Sequence, residues 1–162
     1  MNVKDLLRHN VSFTHNVTRK YLEDINDQEM LVRAVPGSNH LAWQLGHLVA
    51  SERSLLEAVG ADVPDLPEGF AEKHGKDNTG SDDPKDFLTK AEYFELMESM
   101  HRAAVAAIDK TDEAGLDVPT PEKLRSFFPN VGSVLLMAGG HEMMHVGQFA
   151  AIRRKLGKPI VI

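Results

Sequence analysis

The 162-residue sequence contains no cysteine. That absence excludes disulfide scaffolds, thiolate zinc sites, cysteine-bound iron–sulfur clusters and a catalytic thiol. Any metal site must use histidine, carboxylate, carbonyl or water, and any thiol chemistry must take its sulfur from another molecule. Positive charge is not in surplus either. Eighteen basic residues face 24 acidic ones, for a formal charge of −6. A nucleic-acid partner is not expected, because phosphate binding needs a basic face. No run of about 18 apolar residues offers a transmembrane helix, and no apolar signal core follows Met1-Asn2-Val3-Lys4-Asp5. The expected setting is therefore cytoplasmic, without a membrane partner. Internal repeats, low-complexity tracts and convincing strand patterns are also missing. The length suits a single domain over residues 1–162.

What is present is helical periodicity and eight histidines. Apolar residues recur every three or four positions in four segments. The first runs from about Val3 to Ile25, through Leu6, Leu7, Val17 and Tyr21. The second runs from His40 to Val59, with Ser38 or Asn39 as its cap and Gly60 just past its end. The third starts at the capping box Thr89-Lys90-Ala91-Glu92 and carries the stripe Tyr93, Met97, Met100, Ala104 and Ile108. The fourth runs from Val131 to Leu156, capped by Asn130 and stopped by Gly157 and Pro159. Arg153, Arg154 and Lys155 complement the dipole at its end.

Residues 60–88 hold four glycines and three prolines, far more chain than a usual helix–helix loop. Leu66, Phe70 and Phe87 are expected to pin this segment as an ordered crossover. A helix of 20 residues spans about 30 Å, and the crossover can cover that length. These features predict an all-α, four-helix bundle in which helices 2 and 3 run parallel. The apolar tail Ile160-Val161-Ile162 is expected to dock on the bundle or on a partner.

The fourth helix places His141 and His145 on its buried stripe, at i and i+4 and therefore on one face. Two readings stay open: core histidines bonded to neighbours, or two ligands of one metal ion. Helix 2 supplies a third candidate, His47, on a polar row with His40, Gln44, Ser51 and Ser54. Trp43 either roofs such a site or fills core. His9, His15, His74 and His101 are expected at the surface or rim.

Two motif coincidences are weaker. His141-Glu142-Met143-Met144-His145 matches the zincin pattern, which would make Glu142 a general base. The extended form of that motif requires a ligand where Ala151 stands, and no Asp, Glu or His follows His145. Glu-x-x-His, used by di-iron bundles, occurs as Glu98–His101 and Glu142–His145. Glu98, however, is rotated about 100° from the Met97 stripe. Zincin and di-iron chemistry are both disfavoured.

Asn39-His40-Leu41-Ala42-Trp43-Gln44-Leu45-Gly46-His47-Leu48, followed far downstream by His141-x-x-x-His145-x-Gly147-Gln148, resembles the DinB-like/YfiT-like family of metal-binding four-helix bundles. The resemblance covers most of the chain. It implies a three-histidine metal site at His47, His141 and His145, a divalent ion (zinc or nickel) with open positions, and frequent homodimers. It also implies metal-dependent hydrolysis or transfer of a low-molecular-weight thiol cosubstrate onto a small-molecule electrophile. Glu142 has no role assigned by the resemblance, and its own chemistry leaves general base or plain helix residue open. By helical spacing Gln44, Ser51, Glu142 and Gln148 are candidates to orient the imidazoles, with His40 at the pocket mouth. A non-catalytic small-molecule or metal-binding bundle is the alternative function.

Overall fold

In the computed structural model, which describes residues 1–161, four long helices carry the fold. They are α1 (Val3–Leu22), α2 (Leu41–Ala58), α3 (Lys90–Lys110) and α4 (Val131–Lys155). Their ends follow local chemistry. Asn2, Thr89 and Asn130 each close a capping box on α1, α3 and α4, satisfying backbone N–H groups that have no partner inside the helix. Helix α2 departs from expectation. Its cap is neither Ser38 nor Asn39 but His40, whose Nδ1 accepts from the Trp43 N–H at 3.1 Å. Helix α1 ends at Leu22 rather than Ile25. A turn bond from Ile25 N to Leu22 O still delivers Ile25 to the core. Gly60 and Gly157 take φ of 79° and 69°, the left-handed conformation that ends a helix at low cost.

The helix directions follow from which residues meet. Lys4 donates to the Asp109 carbonyl and His15 meets Glu98, so α1 and α3 are antiparallel. Asn10 donates to the Leu136 carbonyl and Arg153 to that of Tyr21, so α1 and α4 are parallel. Gln44 meets His145 and His47 meets His141, so α2 and α4 are antiparallel. Helices α2 and α3 are therefore parallel, as the long crossover predicts, and the order is up-down-down-up. Both α1 and α2 pack on α3 and α4, which sets α1 and α2 at opposite corners.

The crossover is ordered against the body. Phe70 is buried, and Leu66 and Phe87 pack on the core. His74 locks it further: its Nδ1 lies 2.8 Å from the Phe70 carbonyl and its Nε2 lies 2.7 Å from the Tyr93 hydroxyl. The expected stripe of α3 is buried throughout. On α1 the expectation is corrected at Val3 and Leu6, which are exposed. Leu6 is one position round from Leu7, and the buried face runs through Leu7, Val11, Thr14 and Thr18. Arg153 stands in the basic last turn of α4 as expected, and it is also buried, bonded to the Tyr21 carbonyl and the Asp24 carboxylate. In the tail, Val161 packs on the core; Ile162 lies outside the described residues. No helix among the described residues is long and apolar enough to cross a membrane.

Candidate metal centre

Antiparallel packing of α2 against α4 brings the middle of one helix level with the middle of the other. His47 thereby meets His141 and His145, and one nitrogen from each of the three lies within 4.8 Å of the others. Ring centroids are 5.4 Å apart for His47 and His141, 5.5 Å for His47 and His145, and 4.9 Å for His141 and His145.

Two of the rings are oriented by named partners. His145 Nδ1 is 2.8 Å from Gln44 Oε1. The amide orientation is fixed because Gln44 Nε2 donates to the Asn39 carbonyl at 2.7 Å, so the oxygen must face the imidazole. An amide oxygen only accepts; His145 therefore carries its proton on Nδ1 and keeps the Nε2 lone pair. Trp43 stacks on the face of His47 at 4.8 Å with 8° between planes, and the His74 backbone lies close enough to favour its charged form.

Burial lowers the pKa of all three imidazoles, most of all His145, which falls to about 3 as burial is joined by the charges of His141 and His47. All three are neutral at pH 7. Neutral imidazoles with converging lone pairs are mutually unfavourable without a cation or a donor between them. The donor set fits a divalent ion of borderline softness such as zinc or nickel. Nitrogens at about 2.0–2.1 Å from such an ion require only a small closure of the rings.

The triad has a different space on each side. Outward, His47 and His141 line a cleft of about 510 Å³ together with Ser51, Ser54, Lys76 and Phe128. Inward, His141 borders a small cavity of about 20 Å³, room for a water molecule. His15, Glu52 and Glu142 share that cavity with leucine and methionine side chains. Burial pushes the Glu52 carboxyl up to about 8, with the charge of Glu142 adding to it. Burial pushes Glu142 up to about 7, against the hydroxyl bond from Thr14.

The structure places the expected residues unevenly. His47, His141 and His145 come together; Trp43 and Gln44 touch them, and Ser51 lines the cleft. His40 does not reach the pocket. It is spent on the α2 cap and on a 3.1 Å contact with the Ser81 carbonyl. Gln148 is exposed, because it lies off the buried face carrying His145 and Phe149. Glu142 accepts from Thr14 on α1, and its second oxygen is buried without a hydrogen bond, 3.8 Å from His15 Nδ1. His15 and His74, expected at the surface, are buried. Glu98 is taken up by His15 and Arg19. Among the described residues, no group of three His, Asp or Glu other than the triad closes to the same span, which leaves no di-iron arrangement.

Sequence reasoning did not find Lys76, Phe128 or the role of His74. The first two sit in irregular segments without periodicity. A hint of His74 lay in Gly46, a glycine in mid-helix: a Cβ there would come closer than 3.0 Å to the His74 ring.

An up-down-down-up helical bundle with three facing imidazoles between α2 and α4 defines a class, the four-helix bundle with a candidate metal centre. The family model of the DinB superfamily matches residues 10–149, and the chain belongs to that superfamily. Among solved structures it is similar to a conserved protein from Enterococcus faecalis, at 17% identity and a TM-score of 0.72, covering 98% of this chain and 99% of that one. It is also similar to YfiT from Bacillus subtilis, described as a probable metal-dependent hydrolase with an unusual four-helix bundle topology. That similarity has 14% identity and a TM-score of 0.67, covering 96% of this chain and 89% of that one. At these identities the likeness concerns the fold. No curated protein matches the sequence.

Proposed function

We propose that this chain is a divalent-metal-dependent enzyme acting on a small molecule, as a hydrolase or a low-molecular-weight thiol transferase. The observation that carries the reading is the convergence of three neutral imidazoles beside an open cleft. Membership of the DinB superfamily supports it, as does the fold shared with a protein described as a probable metal-dependent hydrolase.

His47, His141 and His145 would hold the ion. Bound there, it would acidify a water or a thiol and polarise an electrophile. Gln44 keeps the His145 proton away from the centre, and the Trp43 face keeps the His47 ring from turning. The crossover and Phe128 wall the cleft and hold substrate against it. No carboxylate lines that cleft among the described residues, so the nucleophile must ionise without a carboxylate base in contact. This favours a thiol, which ionises near neutrality more easily than water does.

Zinc or nickel content of the wild-type chain and of His47→Ala, His141→Ala and His145→Ala tests the site. About one ion per wild-type chain and a loss in each variant are expected; unchanged content in all three refutes it. Turnover of an electrophile panel with and without a thiol, and with and without chelator, tests the reaction. Full metal occupancy without any chelator-sensitive turnover would favour the non-catalytic binding module instead.

A further inference from the structure

The cleft outside the triad has one charged side chain among its lining residues, Lys76. The whole chain carries a net charge of −6, yet this wall has a lysine and no acid. Lys76 has no carboxylate within ion-pairing distance among the described residues. By contrast Arg33 pairs with Asp82, Arg53 with Glu57 and Lys110 with Asp62.

The backbone that presents Lys76 is fixed. It begins the single turn Lys76–Asn78, closed by the bond from Asn78 N to the Gly75 carbonyl and by the Asn78 side chain donating to the Glu72 carbonyl at 2.6 Å. Two residues earlier His74 is buried and bonded at both ring nitrogens. The lysine stem therefore swings from an anchored point at the cleft rim. Leu55, Met137 and Phe128 supply apolar wall in the same cleft.

We infer that the substrate of this cleft is a carboxylate on an apolar body. The reacting group lies at the three-histidine end, the body lies along Leu55, Met137 and Phe128, and the carboxylate is held by Lys76. The inference rests on the metal-centre reading above and adds the substrate class to it. A single ammonium group suits a monoanion. A phosphate dianion is more often taken by arginine forks or a nest of backbone N–H groups, and neither lines this cleft.

The test uses two probes that differ only in the distal group, 4-carboxybenzohydroxamate and 4-carbamoylbenzohydroxamate. Both present the same metal-binding head. Zinc per chain is measured first, then the affinity of each probe for zinc-loaded wild type and for Lys76→Met by calorimetry at low salt. Wild type should prefer the carboxylate by roughly two- to fivefold, the range of an exposed ion pair. The preference should vanish in Lys76→Met while affinity for the carbamoyl probe stays unchanged. Lys76 is exposed, so the variant is expected to fold. A zinc-loaded wild type that binds both probes equally, or a preference that survives in Lys76→Met, overturns this inference alone. A chain that holds no zinc and binds neither probe overturns the metal-centre reading and this inference with it.

Discussion

Replacing Gly46 by alanine should damage the protein through the crossover rather than through the helix that carries the residue. In isolation the change favours a helix interior by up to about 1 kcal/mol. Here the new methyl would come closer than 3.0 Å to the His74 ring. That ring cannot step aside freely, because Phe70 and Tyr93 hold both of its nitrogens. Displacing it sacrifices two buried hydrogen bonds, each worth about 1 kcal/mol net, and overpacks the site by about 1–3 kcal/mol. After the helical gain, a loss of about 2–4 kcal/mol is expected, which for a domain of this size lowers Tm by roughly 10 °C. His74 and the His47 imidazole also line the same cleft, so a displaced His74 should lower zinc affinity by about tenfold, as for other groups beside a metal ligand. Thermal unfolding followed by circular dichroism and zinc titration against a competing chelator read the two effects. Gly140→Ala is the control: its Cβ would meet only the Met137 sulfur, at an ordinary 3.7 Å, and it should be neutral or stabilising. If Gly46→Ala melts within a degree of wild type and keeps its zinc affinity, His74 does not rest on α2 as described.

Two further outcomes follow from groups around the triad. Gln44→Leu keeps the side-chain volume but leaves the His145 Nδ1–H without an acceptor, so zinc affinity should drop by about ten- to a hundredfold. Retention of full affinity would show that Gln44 does not set the tautomer. Glu52 has a folded-state pKa raised from 4.5 to about 8. The folded chain therefore holds its proton more tightly than the unfolded chain does. The stability associated with that proton is complete below pH 4.5 and is lost as pH rises through about 8. Glu52→Gln should remove most of that decline in the metal-free protein and should be more stable than wild type at pH 9 by a few kcal/mol (about 1.4 kcal/mol for each pH unit of the shift). Parallel urea-unfolding curves against pH for the two proteins would refute the burial of a strained carboxyl.

The bundle was legible in the sequence because each helix announces itself locally. The Thr89–Glu92 box, the α3 stripe and the glycine after α2 depend on neighbours three or four residues away, and all three formed as expected. The parallel α2–α3 pair was legible from chain length alone, since a 30-residue connection can cross a bundle that a short turn cannot. The triad was legible for a related reason. His141 and His145 share a helical face by geometry, and His47 needs only that α2 and α4 be antiparallel neighbours.

The parts that escaped depend on pairings no local rule encodes. His74 sits in a segment without period, and its burial arises from a hydroxyl 19 residues away and a glycine 28 residues away in sequence. The partners of His40 and Glu142 escaped in the same way: helical spacing gives the direction a side chain leaves its helix, not which competing partner takes it. For His40 the free N–H groups at the start of α2 are nearer than the triad, and a cap is worth about 1 kcal/mol wherever it forms. For Glu142 the decisive neighbour is Thr14 on α1, which lies beside α4 only because the up-down-down-up order puts it there. A polar residue beside a metal motif thus belongs to the site only if no closer backbone or side-chain partner claims it first, and that competition is settled by topology.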